Sequence, residues 1–376
     1  KAVTVLTKGG EFLFKKNKVT YFKGIGSFKS SNEILIINDN QETIINTKKT
    51  IISTGSEPIS LPGTDFDEEK ILSSTGSLSI SSLPKKMVVV GGGYIGLEMG
   101  SVWSRLGTEV QVIEFLDHIT PGMDKEISIE FLKILKKQGI KFELNTKVEK
   151  ITKLKDGVII ETLNKEGNKK KFEVDVVLIS VGRKPFTKNL NLEKIGVEVD
   201  EKGRIKVNKN FETNSKNIYA IGDVIEGPML AHKAEEEGIA VAELIAGQSG
   251  HVNYDVIPGV VYTSPEVASV GKTEEQLKEK GISYKIGKFP FMANSRAKAI
   301  DEPEGFVKIL ADSVTDKVLG VHIIGLHAGE MIAEMSVAME FGASSEDIAR
   351  TCHAHPTFSE AIKEAALSVD KRQIHS

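Results

Sequence analysis

A run of glycines carries the most direct chemical signal in this sequence. Gly91-Gly92-Gly93-Tyr94-Ile95-Gly96 has the spacing GxGxxG and lies between an apolar run and an amphipathic one. Glycines with this spacing permit a tight turn, a close approach of the backbone to a pyrophosphate, and close packing of a helix on a strand. The first N–H groups of the following helix favour an anion. The pattern predicts dinucleotide contacts from Gly91, Gly92, Gly93, Tyr94, Ile95, Gly96, Leu97 and Glu98.

Glu114, at the end of the next apolar run, predicts which dinucleotide is bound. Its carboxylate can accept hydrogen bonds from the hydroxyls of an adenosine ribose, and its charge repels a 2′-phosphate. No arginine follows within the next few residues to reverse this preference, so NAD⁺ is favoured over NADP⁺. A glycine-rich turn beside a surface glutamate is the alternative interpretation, but it does not require strand, turn, helix, strand and acid to coincide.

A second chemical signal is an imidazole followed by a carboxylate. His355 and Glu360 lie within His353-Ala354-His355-Pro356-Thr357-Phe358-Ser359-Glu360. Such a pair suits a general base that a carboxylate holds in one tautomer. Thr357-Phe358-Ser359-Glu360 also fits a capping box, in which Glu360 is structural, and the residues alone leave both interpretations open. We interpret His353 as structural, and Cys352, which has no cysteine partner in the chain, as a small buried residue.

The elements that must position these residues alternate along the chain. The pattern predicts strands at Lys86–Val90, Glu109–Glu114 and Lys141–Leu144, separated by helices at Leu97–Leu106 and Lys125–Gln138. This βαβ rhythm is typical of a parallel sheet. Residues 147–173 then resemble antiparallel hairpins, with turns at Asp156-Gly157 and Glu166-Gly167.

The flanking regions are predicted in less detail. Residues 1–60 predict a short helical turn, then strands at Val19–Phe22, Glu33–Ile37, Thr43–Ile45 and Thr50–Ser53. Two buried strands and a helix follow the hairpins, at Asp175–Val181, Ile218–Ile221 and Ala231–Ala246. From Asp255 onward the pattern is α+β, with strands near Val260 and at Lys285–Phe289, Val307–Leu310 and Val318–Ile324, and helices at Glu274–Lys280, Glu330–Phe341 and Ser359–Val369.

Composition narrows the class of protein. At 376 residues, with 40% hydrophobic and 27% charged side chains, the chain suits a globular protein of two or three domains. The formal net charge is −3, and lysine and arginine are scattered, so no nucleic-acid partner is predicted. No apolar run of about 18 residues occurs, so no membrane span is predicted. The single cysteine excludes an intrachain disulphide and indicates a reducing compartment. No metal site is predicted.

Beyond these motifs, the chain resembles the class I pyridine nucleotide–disulphide oxidoreductases, and within them the dihydrolipoyl dehydrogenases. The most specific segments are Ser101–Gly107, Gly182–Thr187, Tyr219–Asp223, Gly227–Glu235 and Cys352–Ala361. The resemblance implies an α/β fold of the FAD/NAD(P)-linked reductase type, with Rossmann-like parallel sheets and an α+β C-terminal dimerisation domain. It also implies a division into residues 1–84 and 183–254 (the remainder of an FAD-binding domain), 85–182 (NAD-binding domain) and 255–376 (interface domain).

The same resemblance assigns further site residues. Val148 and Gly182 would border bound NAD. The FAD contacts would be Gly26, Thr54, Gly55, Ser56, Asp223, Met229, Leu230, Ala231 and His232. A carboxylate after a strand can accept bonds from hydroxyls, and a helix N-terminus near Leu230 can stabilise reduced-flavin charge. His355 would be the base and Glu360 its orienting partner. Across a dimer interface, His355 would take a proton from a dihydrolipoamide thiol over the partner subunit's flavin.

The chain departs from the family pattern in two motifs. The family begins with another GxGxxG for the ADP half of FAD, followed by a CxxxxC disulphide, and neither occurs here. The chain starts at Lys1 rather than a methionine, so we expect a fragment whose N-terminal part lies outside these residues. Because thiol–disulphide exchange needs the missing cysteines, we expect the chain by itself not to complete the dithiol reaction.

The function predicted from the resemblance is NAD-dependent, FAD-containing oxidation of protein-bound dihydrolipoamide, as the E3 component of 2-oxo acid dehydrogenase complexes. The enzyme would be a homodimer that meets lipoyl domains and E2/E3-binding components, in the mitochondrial matrix of a eukaryote or otherwise in the cytoplasm. The alternative is a non-catalytic NAD-binding, dimerising fragment or subunit. Among sister enzymes, glutathione and trypanothione reductases prefer NADPH, which Glu114 opposes. Mercuric reductase carries a C-terminal cysteine pair that Arg372–Ser376 lacks.

Overall fold

The computed structural model describes residues 2–376, which form two compact units. The first unit contains the residues up to Glu57 together with Lys184–Val252, and the second contains Pro58–Arg183 and Asn253–Ser376. Each unit therefore combines segments that are distant in sequence. The finer division into FAD-binding, NAD-binding and interface domains stays a prediction.

The helices are α1 (Ala2–Lys16), α2 (Ser74–Ser77), α3 (Tyr94–Arg105), α4 (Lys125–Lys137), α5 (Ala231–Ile245), α6 (Glu274–Glu279), α7 (Ser295–Ala299), α8 (Ala328–Glu340), α9 (Ser345–Arg350) and α10 (Glu360–Ser368). The strands of the first half are β1 (Ile25–Ser30), β2 (Glu33–Asn38), β3 (Gln41–Asn46), β4 (Thr50–Ile52), β5 (Ser56–Pro58), β6 (Ile71–Leu72), β7 (Lys86–Val90), β8 (Glu109–Ile113), β9 (Lys141–Glu143), β10 (Thr146–Lys153), β11 (Val158–Asn164), β12 (Lys169–Val174) and β13 (Val176–Ile179). Those of the second half are β14 (Arg183–Pro185), β15 (Ile218–Ala220), β16 (Gly259–Val261), β17 (Glu266–Gly271), β18 (Tyr284–Pro290), β19 (Phe306–Asp312) and β20 (Val318–Gly325).

The first unit is built around a short parallel pair of strands. β4 and β15 run side by side, with Ile52 opposite Ala220. β1, β2 and β3, which precede β4 in the chain, form a separate antiparallel meander. Apolar side chains of β15 and α5, among them Ile218, Ala240 and Val241, share one core with Phe28 and Ile52. This packing fixes the turn that follows β15, which carries Gly222-Asp223.

Two predictions for the first residues were wrong. The predicted helical turn is a 15-residue helix, α1, with lysines in its last turn, where they complement the helix dipole. Val19–Phe22 is not a strand, because the chain turns back along the helix. The Val19 N–H donates to the Phe14 carbonyl at 2.9 Å, and the rings of Phe14 and Tyr21 stack with centroids 5.7 Å apart.

A parallel sheet of five strands, in the order β6-β13-β7-β8-β9, forms the first half of the second unit. The side chains of Val88, Val89 and Val90 are buried because both faces of the sheet are covered, as is typical of parallel sheets. One face packs on α3 and α4 through Leu97 and Phe131. The other face is covered by the antiparallel meander β10-β11-β12.

The rest of the second unit is an antiparallel sheet in the order β16-β17-β20-β19-β18. α8 and α10 pack against it through an apolar core that includes Met335, Ile362 and Phe289. Strand β17, at Glu266–Gly271, and helix α9 were not predicted from the sequence, although β17 lies inside the sheet between β16 and β20. Within residues 2–376, every helix is too short or too polar to span a lipid bilayer.

Candidate functional site

The glycine run lies at the junction of β7 and α3, where the sequence predicted a strand-to-helix turn. Gly91 has a φ of +107°, and a Cβ there would lie 2.5 Å from the Ser180 carbonyl oxygen. A Cβ on Gly96 would lie 2.3 Å from the Gly91 carbonyl oxygen and 3.0 Å from Val89 on β7. Only glycine therefore fits at either position. At Gly93 a Cβ would meet no atom within 4 Å, so that part of the backbone is open.

Helix α3 begins directly in this loop, at Tyr94, three residues earlier than predicted. Its N-cap is Gly93, which provides no side-chain hydrogen bond to the first turn. N–H groups of the first turn of a helix lack intrahelical partners and carry the positive end of the dipole. This loop and helix start could hold a diphosphate, so the residues present fit a dinucleotide.

Glu114 is held against the same loop. Its side chain is buried, with 7% of the residue exposed. Oε2 accepts a hydrogen bond from the Gly92 N–H at 2.6 Å, and Oε1 accepts one from the Leu116 N–H at 2.8 Å. Each carboxylate oxygen keeps a second lone pair that could accept a ribose hydroxyl. Glu114 was predicted to bind the ribose from the end of the strand after the loop, but its hydrogen bond to the loop itself was not predicted.

The other residues predicted to contact NAD lie around the loop in different settings. Leu97 points into the core, whereas Tyr94 and Ile95 are half-buried. Burial raises the pKa of Glu98 even though its carboxylate accepts a hydrogen bond from the Tyr262 N–H at 2.8 Å. Val148 is a half-buried residue of β10, and Gly182 is exposed in the turn after β13.

His355 and Glu360 are in direct contact in the second unit. His355 Nδ1 lies 2.9 Å from Glu360 Oε1, and the imidazole is 69% exposed. Because an ionised carboxylate can only accept, Nδ1 carries the proton and Nε2 is left as the acceptor. The geometry therefore provides an accessible base nitrogen on a ring held in one tautomer.

Glu360 also has the structural role that sequence analysis left open. Its Oε2 accepts a hydrogen bond from the Thr357 N–H at 2.9 Å, as in a capping box. In a capping box the Thr357 hydroxyl would accept a hydrogen bond from the Glu360 N–H. Here that hydroxyl donates to the Ala354 carbonyl instead, and α10 begins only at Glu360. Burial raises the pKa of Glu360, but the hydrogen bonds from Thr357 and His355 outweigh it and hold the pKa below its ordinary value. The carboxylate therefore stays ionised beside the imidazole.

The side chain of the neighbouring His353 is buried and connects its segment to α8, so it is not an accessible base. Its Nε2 lies 2.8 Å from Glu334 Oε1 on α8, and its Nδ1 lies 3.0 Å from the Thr351 carbonyl oxygen. The hydrogen bond with Glu334 raises the pKa of His353 against the effect of burial. Cys352 was predicted to be buried and is exposed. The inward position beside it is taken by the side chain of His353, which is 5% exposed.

The predicted FAD contacts lie in the first unit, and two of them meet. The Ser56 hydroxyl donates to Asp223 Oδ2, and Asp223 follows β15 in a short 3₁₀ turn. The Thr54 hydroxyl donates to the Phe186 carbonyl at 2.6 Å, which fixes the turn through Gly55. A carboxylate and a hydroxyl at this position could hold the hydroxyls of a ribityl chain.

The remaining predicted FAD contacts lie at the start of α5 and on β1. Met229 and Leu230 precede the helix, and Leu230, its N-cap, provides no side-chain cap. Ala231 and His232 form its exposed first turn. Gly26 is an exposed residue of β1 in the meander. The helix start could stabilise negative charge on a bound group.

Comparison with known proteins identifies the family. The chain is 60% identical over 377 residues to the mitochondrial dihydrolipoyl dehydrogenase of Pisum sativum, covering 100% of this chain and 75% of the relative. It is 61% identical over 376 residues to the mitochondrial dihydrolipoyl dehydrogenase 1 of Arabidopsis thaliana, with 100% and 74% coverage. The chain belongs to the dihydrolipoyl dehydrogenase family. The similarity to these enzymes does not favour the non-catalytic alternative.

Broader comparisons agree with membership of the dihydrolipoyl dehydrogenase family. The pyridine nucleotide-disulphide oxidoreductase profile matches residues 1–238, and the dimerisation domain of that family matches residues 257–366. The copper(II) complex of the HOCl-induced flavoprotein disulfide reductase RclA from Escherichia coli superposes with a TM-score of 0.83 at 27% identity, covering 91% of this chain and 77% of that one. The predicted α/β reductase fold with a dimerisation domain is confirmed. Dihydrolipoyl dehydrogenases and their family domains imply FAD and NAD as cofactors.

One charged group beside a predicted FAD contact was not predicted from the sequence. Lys233 and Glu237 form a buried ion pair on α5 next to Gly222. The available signal was their spacing, because both lie in the helical stripe that continues through the buried Ala240 and Val241. A spacing of four residues allows an ion pair on a helix but does not by itself indicate burial.

Proposed function

We propose that this chain acts in the NAD⁺-dependent oxidation of protein-bound dihydrolipoamide, as the E3 component of 2-oxo acid dehydrogenase complexes. The contact between His355 Nδ1 and Glu360 carries the proposal, because it prepares an exposed nitrogen for proton transfer. The identity of 60% to a dihydrolipoyl dehydrogenase supplies the substrate class. FAD, when bound, supplies the two-electron chemistry between dithiol and nicotinamide.

The chain's own residues would perform the binding and proton-transfer steps. The glycine loop and the start of α3 would hold the diphosphate of NAD⁺, and Glu114 its ribose. His355 Nε2 would accept a proton from a dithiol bound at the partner subunit, and the ionised Glu360 would stabilise the imidazolium. Ser56 and Asp223 would orient the ribityl hydroxyls of FAD. The reaction also uses a pair of cysteines, and Cys352 is the sole cysteine among these 376 residues.

The proposed assembly follows from the dimerisation domain. Its match over residues 257–366 supports a homodimer, and a thiol base donated to the partner's site would need one. We propose lipoyl domains and E2/E3-binding components as the protein partners, because dihydrolipoamide in these complexes is protein-bound. The mitochondrial designation of the relatives supports a mitochondrial matrix location in a eukaryote.

The nucleotide preference tests the NAD part of the proposal. Glu114→Gln keeps an acceptor for one of the two backbone N–H groups but removes the negative charge. We expect NAD⁺ affinity to fall about tenfold, because hydrogen bonds to a charged acceptor are the stronger ones, while NADP⁺ affinity does not fall. Titration of the purified protein with both nucleotides by calorimetry measures the ratio.

A carboxylate on the adjacent strand gives the matched control. Glu143, at the end of β9, is half-buried and pairs with Lys170 at 2.7 Å. Glu143→Gln should leave the preference for NAD⁺ unchanged. An unchanged preference in Glu114→Gln would remove Glu114 from the ribose site, and a wild-type protein that does not prefer NAD⁺ would reject the proposed cofactor.

A further inference from the structure

Helix α5 carries a lysine and a glutamate on its buried face. The side chains of Lys233 and Glu237 are 0% exposed, and Lys233 Nζ lies 3.0 Å from Glu237 Oε1. They share this face with Ala240 and Val241, which pack in the core of the first unit. Two ionised groups have thus been moved from water into the interior, which by itself is a poor source of stability.

Both members of the pair bind the same residue, Gly222. Lys233 Nζ donates to the Gly222 carbonyl oxygen at 3.0 Å, and Glu237 Oε2 accepts a hydrogen bond from the Gly222 N–H at 2.7 Å. Gly222 has a φ of +74°, and a Cβ there would lie 3.1 Å from the Cβ of Ala234 on the same helix. One ion pair therefore holds both polar backbone groups of a residue in the left-handed region.

The peptide that this ion pair fixes leads directly into Asp223. The Gly222 carbonyl belongs to the Gly222–Asp223 peptide, so its orientation sets the direction in which Asp223 leaves the backbone. The Asp223 carboxylate is held from the other side by the Ser56 hydroxyl. An apolar pair of the same volume would fill the space beneath Gly222 but would leave its N–H without an acceptor and its carbonyl with the Ile225 N–H alone.

We propose that Lys233 and Glu237 are positioning residues that clamp the Gly222–Asp223 peptide and so aim the Asp223 carboxylate at the ribityl hydroxyls of FAD. This inference rests on the proposed role of Asp223 in FAD binding. The pair acts through Asp223 and does not itself contact the cofactor. Its contribution is to remove alternative orientations of the peptide before the cofactor arrives, which lowers the ordering cost of binding.

The test replaces the pair with apolar side chains of similar volume. In the Lys233→Met/Glu237→Leu variant, we expect amide hydrogen exchange of the peptide covering residues 218–226 to accelerate about tenfold, the equivalent of one lost hydrogen bond. We expect FAD affinity, measured by quenching of flavin fluorescence, to fall by about the same factor. The melting temperature should stay within about 5 °C, because an apolar pair replaces a buried ion pair with little loss of stability.

Two further variants make the result decisive. Lys233→Met/Glu237→Gln keeps an acceptor for the Gly222 N–H, so its exchange rate should lie between those of the wild type and the apolar variant, and it provides the measurement if the latter does not fold. Lys206→Met/Glu198→Leu removes a pair whose side chains are 58% and 59% exposed, and should change neither exchange nor FAD affinity.

Unchanged exchange at residues 218–226 in both clamp variants would reject the clamp. Faster exchange in the clamp variants with FAD affinity equal to that of the wild type would keep the clamp and reject the proposed FAD role of Asp223.

Discussion

Replacement of His355 by glutamine should lower the rate of dihydrolipoamide oxidation about 10²- to 10⁴-fold, the usual contribution of a positioned general base. Glutamine fills a similar space and can still meet Glu360, but its side chain has no nitrogen that accepts a proton. The comparison requires a form of the protein that turns over dihydrolipoamide with NAD⁺. In that form, NADH oxidation by an artificial electron acceptor should be much less affected, because no thiol proton is transferred.

The C-terminal segment provides a matched control for this substitution. His375 Nδ1 lies 2.7 Å from Glu364 Oε1, and its imidazole is 66% exposed, so the pair repeats the geometry of His355 and Glu360. His375→Gln should leave both activities near those of the wild type. If His355→Gln lowers dithiol turnover and artificial-acceptor turnover by the same factor, His355 is not the thiol base.

Glu360→Gln separates the orienting role from the base itself. The amide can still accept the Thr357 N–H but carries no charge to stabilise an imidazolium at His355. We therefore expect a smaller loss of dithiol turnover than in His355→Gln, about tenfold to a hundredfold. A loss of helix α10, seen as a lower melting temperature, would instead point to the capping role of Glu360.

The parts of the site that were predictable from sequence are those formed by residues close together in the chain. The glycine loop could be placed because β7, the loop and α3 are continuous, and a Cβ at Gly91 or Gly96 would clash with nearby backbone. His355 and Glu360 are five residues apart and meet directly. Where chemistry depends on one turn or one helix start, spacing in the sequence already encodes the geometry.

The parts that were not predictable depend on distant elements. Cys352 was placed inside because cysteine is commonly buried, but the neighbouring His353 takes the inward position to reach Glu334 on α8. Local propensity is a weak signal when tertiary contacts decide the outcome.

Lys308 is the clearest case of a residue whose burial could not be predicted from the sequence. It lies on β19, whose apolar pattern predicted a strand, but one lysine in such a strand gives no sign of burial. In the structure its side chain is 1% exposed and is surrounded by three carboxylates, with Nζ 3.0 Å from Asp124, 2.7 Å from Glu274 and 3.2 Å from Glu126. Asp124 also caps α4 by accepting the Glu126 N–H, so one cation joins β19 to α4 and α6 within the second unit.

We expect Lys308→Met to lower the free energy of unfolding of the second unit by about 3–5 kcal/mol, because it leaves the fully buried Asp124 carboxylate without its cation. Trp103 on α3 is the single tryptophan of the chain and lies in this unit, so its fluorescence during urea unfolding measures the change. Lys288→Met is the matched control. Lys288 is opposite Lys308 on the neighbouring strand, is 40% exposed and pairs with Glu126, so its loss should cost less than about 1 kcal/mol.

The pH dependence of unfolding provides a second, independent check on this cluster. Burial raises the pKa of Glu274, but hydrogen bonds from Lys278, Lys308 and Tyr284 outweigh it and lower the pKa from 4.5 to about 2. A carboxylate whose pKa is depressed by folding stabilises the protein above its unfolded pKa and loses that contribution as the pH falls. Wild-type stability should therefore decline between pH 4.5 and about 2, and the decline should be shallower in Lys308→Met. Equal slopes for the two proteins, or equal destabilisation by Lys308→Met and Lys288→Met at neutral pH, would mean that the three carboxylates do not depend on Lys308 for their charge.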